Sequence, residues 1–151
     1  MSTIIGYYFD SPLEWDELGA VIDRVLGCRL VPDAHTHARR YGRFCSLEMS
    51  LGRHGLEDDL GIAFSEYPYE LQLRVASPDL DLLDLAIALA GLLPALLWSR
   101  GRIDRGILVH DLQRMLARYA TVDGVFVELN SGVAPAPPEY FRQILAAFER
   151  D

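Results

Sequence analysis

The chain has no lysine: all fourteen of its basic residues are arginines, from Arg24 to Arg150. That absence removes Schiff-base catalysis, the phosphate-binding lysine of a P-loop and the strand lysine of protein kinases. Cysteine is scarce as well. Cys28 and Cys45 are far apart and fall in neither a Cys-x-x-Cys nor a zinc-ribbon spacing, so two buried, reduced thiols are expected. No basic region precedes the first apolar run, and Asp10 and Glu14 follow it closely, which does not read as a signal peptide. A cytoplasmic location is the expectation. The one long uncharged run, Leu85 to Trp98, is shorter than the roughly twenty residues a bilayer requires. Asp79, Asp81 and Asp84 precede it and Pro94 interrupts it, so it reads as a buried central helix.

Other chemistry is missing too. None of the eight serines sits in a Gly-x-Ser-x-Gly elbow. Gly52-Arg53-His54-Gly55 has too few glycines for a phosphate-cradling loop, and no cofactor is expected. The formal charge of −8, with 22 carboxylates against fourteen arginines, opposes nucleic acid and anionic lipid as partners.

What remains is an ordinary globular composition of 151 residues, half of them hydrophobic and 24% charged. A chain of that length buries about two thirds of the surface of its unfolded form, so one domain over residues 1–151 with a single core is expected. Ser2 to Phe9, rich in β-branched and aromatic residues, reads as a strand. Ser11-Pro12-Leu13-Glu14 resembles a capping box opening a helix that runs to Leu26 and stops at Gly27. Alternation predicts one strand over Tyr41–Leu51 and another over Tyr69–Val75, with a short one at Leu60–Phe64 between them. Ser77-Pro78-Asp79 opens the leucine-rich helix, which ends near Arg100. Beyond it come a strand at Gly106–Val109, a helix at His110–Tyr119, a strand at Val125–Leu129, a loop stiffened by Pro135, Pro137 and Pro138, and a last helix with Tyr140, Phe141, Ile144, Leu145 and Phe148 inward. The expected fold is α+β: a mainly antiparallel sheet of about five strands with helices packed on one face. Its other face would present Glu48, Glu70, Gln72 and Arg74 to water or to a partner.

Two sets of residues carry candidate chemistry. His35 and His37 form a His-x-His pair to which His54 and nearby carboxylates could add ligands, the basis of an alternative reading as a small metal-dependent enzyme. His110-Asp111 is a further polar pair, with Asp111 placed to cap a helix. The second set is a surface: Glu57, Asp58 and Asp59 in a turn, followed by Glu66, Tyr67, Tyr69 and Glu70 around Pro68. Tyrosine offers contact area with little entropy to lose, and carboxylates attract a basic partner. In its small size, acidity and lack of a catalytic motif, the chain is similar to the stand-alone immunity proteins of bacterial toxin systems. The expected function is accordingly that of a non-enzymatic, protein-binding inhibitor of a basic toxin domain, with those seven residues as its contact surface.

Overall fold

Eight strands form one sheet in the order β2-β3-β4-β5-β1-β6-β7-β8, every neighbouring pair antiparallel. In chain order the elements are β1 (Thr3–Phe9), α1 (Trp15–Leu26), β2 (Val31–Pro32), β3 (Arg39–Phe44), β4 (Leu47–Arg53), a 3-10 turn (Phe64–Glu66), β5 (Tyr69–Val75), α2 (Leu80–Gly101), β6 (Arg105–His110), β7 (Arg114–Val122) and β8 (Val125–Leu129). The structure is a computed structural model and describes residues 3–35, 38–44, 47–59, 61–75, 80–112 and 114–129. The helix start at 77–79, the proline loop and the helix expected after residue 130 lie outside the described residues, as do Cys45 and His37.

Antiparallel pairing on both sides of β1 makes β5 and β6 parallel to each other with β1 between them. Parallel strands need a long crossover, and α2 supplies it. By the same count of alternating directions β1 and β2 are parallel, and α1 makes that crossover. Both helices therefore lie on one face, where Leu18, Ile22, Val25 and Leu26 of α1 and Ala86, Leu89, Leu93 and Leu97 of α2 meet Ile5, Tyr7, Phe9, Met49, Leu51, Leu71 and Leu73 from the strands. Trp15, Tyr69, Phe9, Tyr7, Tyr119, Phe126 and Trp98 run across this face as a chain of ring contacts with centroids 5.5 to 6.3 Å apart. Within the uncharged run of α2, Ala86, Leu89, Ala90, Leu93 and Leu97 are buried in this core, and no helix among the described residues is long and apolar enough to cross a membrane.

Eight strands replace the expected five or so, because three unexpected strands are gained and one of the six expected segments is lost. The alternation read as one strand over Tyr41–Leu51 is a hairpin in which Phe44 pairs with Leu47. Leu47, Met49 and Leu51 do face the helices, but Tyr41 falls on the opposite face and is 47% exposed. Next, the segment expected as a helix from His110 is β7. The ladder to β6 slips at Leu108/Val109, which lets Leu116 and Ala117 both be buried. That irregularity breaks strict alternation and imitates a spacing of three and four. Finally, Val31–Pro32 adds a two-residue edge strand. Leu60–Phe64 contributes none: the described part holds an isolated Asp59–Ile62 bridge and the start of the 3-10 turn.

Helix α1 also starts later than expected. Glu14 occupies its N-cap position, while Ser11 Oγ accepts the Leu13 N–H at 3.2 Å in a local turn. Gly27 ends it as expected, at φ 63°. A second, smaller apolar cluster lies on the sheet's other face, where Ile62, Phe64 and Tyr67 cover Tyr8, Ile107 and Val109. Two apolar clusters therefore replace the expected single core, and the second face is open only where this loop does not cover it.

Candidate functional site

The face opposite the helices has two halves, and the register assigns residues to each. Residues paired across neighbouring strands share a face. Tyr8, Glu70 and Gly52 therefore form one row with Arg39, and Gly6, Gln72, Ser50 and Tyr41 form the next. A third row carries Arg74, Glu48 and Arg43.

The first row holds a buried ion pair. Glu70 is 1% exposed, and its carboxylate accepts from the Arg39 guanidinium and, at 3.1 Å, from the Gln72 amide. Arg39 also donates to Ser50 Oγ at 3.3 Å. To reach Glu70 it must pass over β4, and glycine at position 52 permits this: a Cβ there would lie 2.8 Å from Arg39 Nη1. Tyr8 joins the network through Gln72, and burial raises its phenol above the ordinary range. Its ring leans over Gly6, where a Cβ would approach Tyr8 Cε2 to 2.8 Å. Beside this network is a shallow depression of about 480 Å³ lined by Tyr41, Arg43, Glu48, Ser50, Gln72 and Arg74.

The connection from β4 to β5 covers the other half. Its ends are tied together: His54 N–H donates to the Pro68 carbonyl at 3.1 Å, and the His54 ring bonds both the Leu56 N–H (3.1 Å, at Nδ1) and the Tyr67 carbonyl (at Nε2). Asp59 and Ile62 exchange two backbone hydrogen bonds around Gly61, whose φ of 75° suits glycine. Asp58 Oδ1 accepts the Ser65 N–H at 2.9 Å, which holds its carboxyl below the usual range. Arg105 stacks over Tyr67 at 5.4 Å. Phe64 and His54 meet the Tyr8 ring edge to face at 5.1 and 5.4 Å.

The seven residues expected to form one contact surface are divided by this arrangement. Glu57, Asp58, Asp59 and Glu66 are exposed on the loop. Tyr67 is not; it is 6% exposed and helps anchor the loop to the sheet. Tyr69 projects to the helical face, stacked with Trp15 and near Phe9, because it pairs with Phe9 in the register. Glu70 is enclosed by Arg39 and Gln72. Strand alternation separates Tyr69 from Glu70, and the loop's return over the sheet buries Tyr67.

Of the three histidines expected as ligands, His37 lies outside the described residues, and His35 and His54 each serve a local backbone contact. His35 is exposed in a turn in which Asp33 Oδ1 accepts its N–H at 2.8 Å. Both ring nitrogens of His54 are engaged by backbone, and burial is the largest influence holding its pKa below the ordinary value. Among the described residues no group of three histidine, cysteine or carboxylate side chains is placed to hold a metal ion. Cys28 is half-buried near Asp23, and burial pushes its thiol up to about 12. Asp111 caps no helix. It sits at the β6–β7 turn, where its carboxylate accepts the Ile4 N–H and its own N–H donates to the Ile4 carbonyl, both at 2.8 Å.

Reading the sequence missed Arg39, Gly52 and Tyr8, the parts of the polar network. A signal was present in Arg39-Arg40, since adjacent residues of a strand face opposite ways. Arg40 indeed turns to the helical side, pairing with Asp16 at 2.8 Å beside Trp15. No family model, curated protein or solved structure matches the chain.

Proposed function

We propose that the protein is a cytoplasmic, protein-binding domain of the immunity or antitoxin type, which neutralises a toxin by covering a basic surface of it with the loop between β4 and β5. One observation carries the reading: the loop holds Glu57, Asp58, Asp59 and Glu66 in water while sinking Ile62, Phe64 and Tyr67 into their own apolar cluster. No cation occurs between Arg53 and Arg74, so the loop is a concentrated source of negative potential. A segment already ordered before contact loses little entropy on binding, and its field accelerates encounter with a basic partner.

The test is co-expression with the product of a neighbouring toxin-like reading frame. The protein should restore growth, and Glu57→Lys with Asp59→Lys should slow association about tenfold or more at low salt and weaken rescue. Rescue and association unchanged by the double reversal would remove the loop from the interface.

A further inference from the structure

We propose that His54 is a proton-operated latch on this loop: uptake of one proton by its ring breaks the bond from the Leu56 N–H and releases residues 55–59 and 61–66 from the sheet. The tautomer follows from the partners. A backbone N–H donates at every pH, so Nδ1, 3.1 Å from the Leu56 nitrogen, must carry a lone pair. A carbonyl oxygen can only accept, so Nε2 must carry the hydrogen it gives to Tyr67. The neutral Nε2–H ring is the one form that satisfies both, and it joins the loop's first residues to its last. A proton arriving at Nδ1 sets one N–H against another and ends the contact.

Among the described residues, no carboxylate is among the influences that shift this ring. Tyr8 from β1 and Phe64 from the loop press their rings on the imidazole. The charged group felt from β3 is Arg39, itself held by Glu70 of β5. Burial and Arg39 both oppose protonation, whereas the Tyr67 carbonyl favours it. In the released loop the ring is hydrated and regains its ordinary pKa near 6.5. Above that value neither form binds the proton and the balance is independent of pH. Below it the open form takes up the proton first, and its population rises by up to about tenfold per pH unit until the closed ring titrates too. The consequence for binding rests on the function proposed above. Acid would then remove the ordered shape of the contact surface.

The experiment uses the free full-length protein. Amide exchange of Leu56 and residues 61–67, corrected for intrinsic rates, is compared at pH 7.5 and 5.5, with ¹⁵N shifts reporting the ring tautomer. The open population should rise several-fold in acid while β4 and β5 stay protected, and Nδ1 should be unprotonated at pH 7.5. His54→Gln retains an amide donor for Tyr67 but takes up no proton, so its loop exchange should not depend on pH. Equal exchange at the two pH values in the parent protein, a rise that persists in His54→Gln, or an Nδ1–H tautomer would each overturn the latch. Should His54→Gln fold poorly, the tautomer and exchange of the parent protein still decide. No partner enters the readout, so failure here leaves the docking proposal standing, and the reverse is equally true.

Discussion

The guanidinium of Arg39 crosses strand β4 above Gly52 to meet the buried carboxylate of Glu70 on β5. The two ends of this pair are not equivalent. The Glu70 side chain is 2% exposed, whereas that of Arg39 is 27% exposed and can regain water if its partner is lost. Arg39→Ala leaves an enclosed carboxylate with Gln72 as its one described side-chain donor, and should cost about 3 kcal/mol. Glu70→Gln should cost only about 1 kcal/mol. Gly52→Ala should fall between them, because its methyl displaces the guanidinium that the pair holds in place. Urea unfolding midpoints would measure all three, and equal losses for Arg39→Ala and Glu70→Gln would refute the asymmetry.

Tyr7 presents the opposite case, a buried hydroxyl with no hydrogen-bond partner among the described residues. It lies over Gly106, where a Cβ would come within 2.5 Å of the phenol oxygen. Tyr7→Phe removes a polar atom that gains nothing in the folded state, and should raise stability by about 1 kcal/mol. Thermal unfolding would then shift upward by about 2–4 °C. Burial also raises the Tyr7 phenol above its ordinary value of 10.0. The unfolded chain therefore releases this proton first as pH rises above about 10, and the folded state loses stability there. Tyr7→Phe should reduce that alkaline loss; a variant less stable than the parent at neutral pH would show that the hydroxyl has a partner after all.

At the β6–β7 turn Leu112 has φ 61° and follows Asp111 at φ 51°. Aspartate tolerates this region, but leucine brings its Cβ against its own carbonyl at a cost of about 1–2 kcal/mol. Part of the leucine is exposed, so its packing offsets little of that strain. Leu112→Gly should stabilise the protein by up to about 1 kcal/mol, read as a higher urea midpoint at unchanged slope. A lower midpoint would mean that the side chain makes contacts worth more than the strain.

The candidate site was legible in sequence to the extent that it is a matter of composition. A stretch with four carboxylates and no cation is visible without coordinates, and those four residues do lie at the surface. The division of Tyr67, Tyr69 and Glu70 was not visible. It depends on where β5 begins and on what returns to cover its neighbours, and Pro68 between them conceals both. The β7–β8 hairpin is a different kind of miss. Asp123-Gly124, with φ of 52° and 78°, is a strong local turn signal, and it argued for a strand before it as well as after. Leu112, Met115, Leu116 and Tyr119 nevertheless imitate a helical spacing, because a bulge delivers two consecutive apolar residues to the core.

The sequence by itself determined the acidity, the helices α1 and α2, and the strands β1, β5, β6 and β8, since each has a periodicity contained within a few residues. Tertiary structure alone decided that Phe44 turns back on Leu47, that Arg39 buries Glu70, and that the loop after β4 closes over Tyr8 through His54. Local patterns record which residues prefer to leave water. Which of them meet depends on pairings between strands distant in the chain, and those are selected by how the whole sheet buries both of its faces.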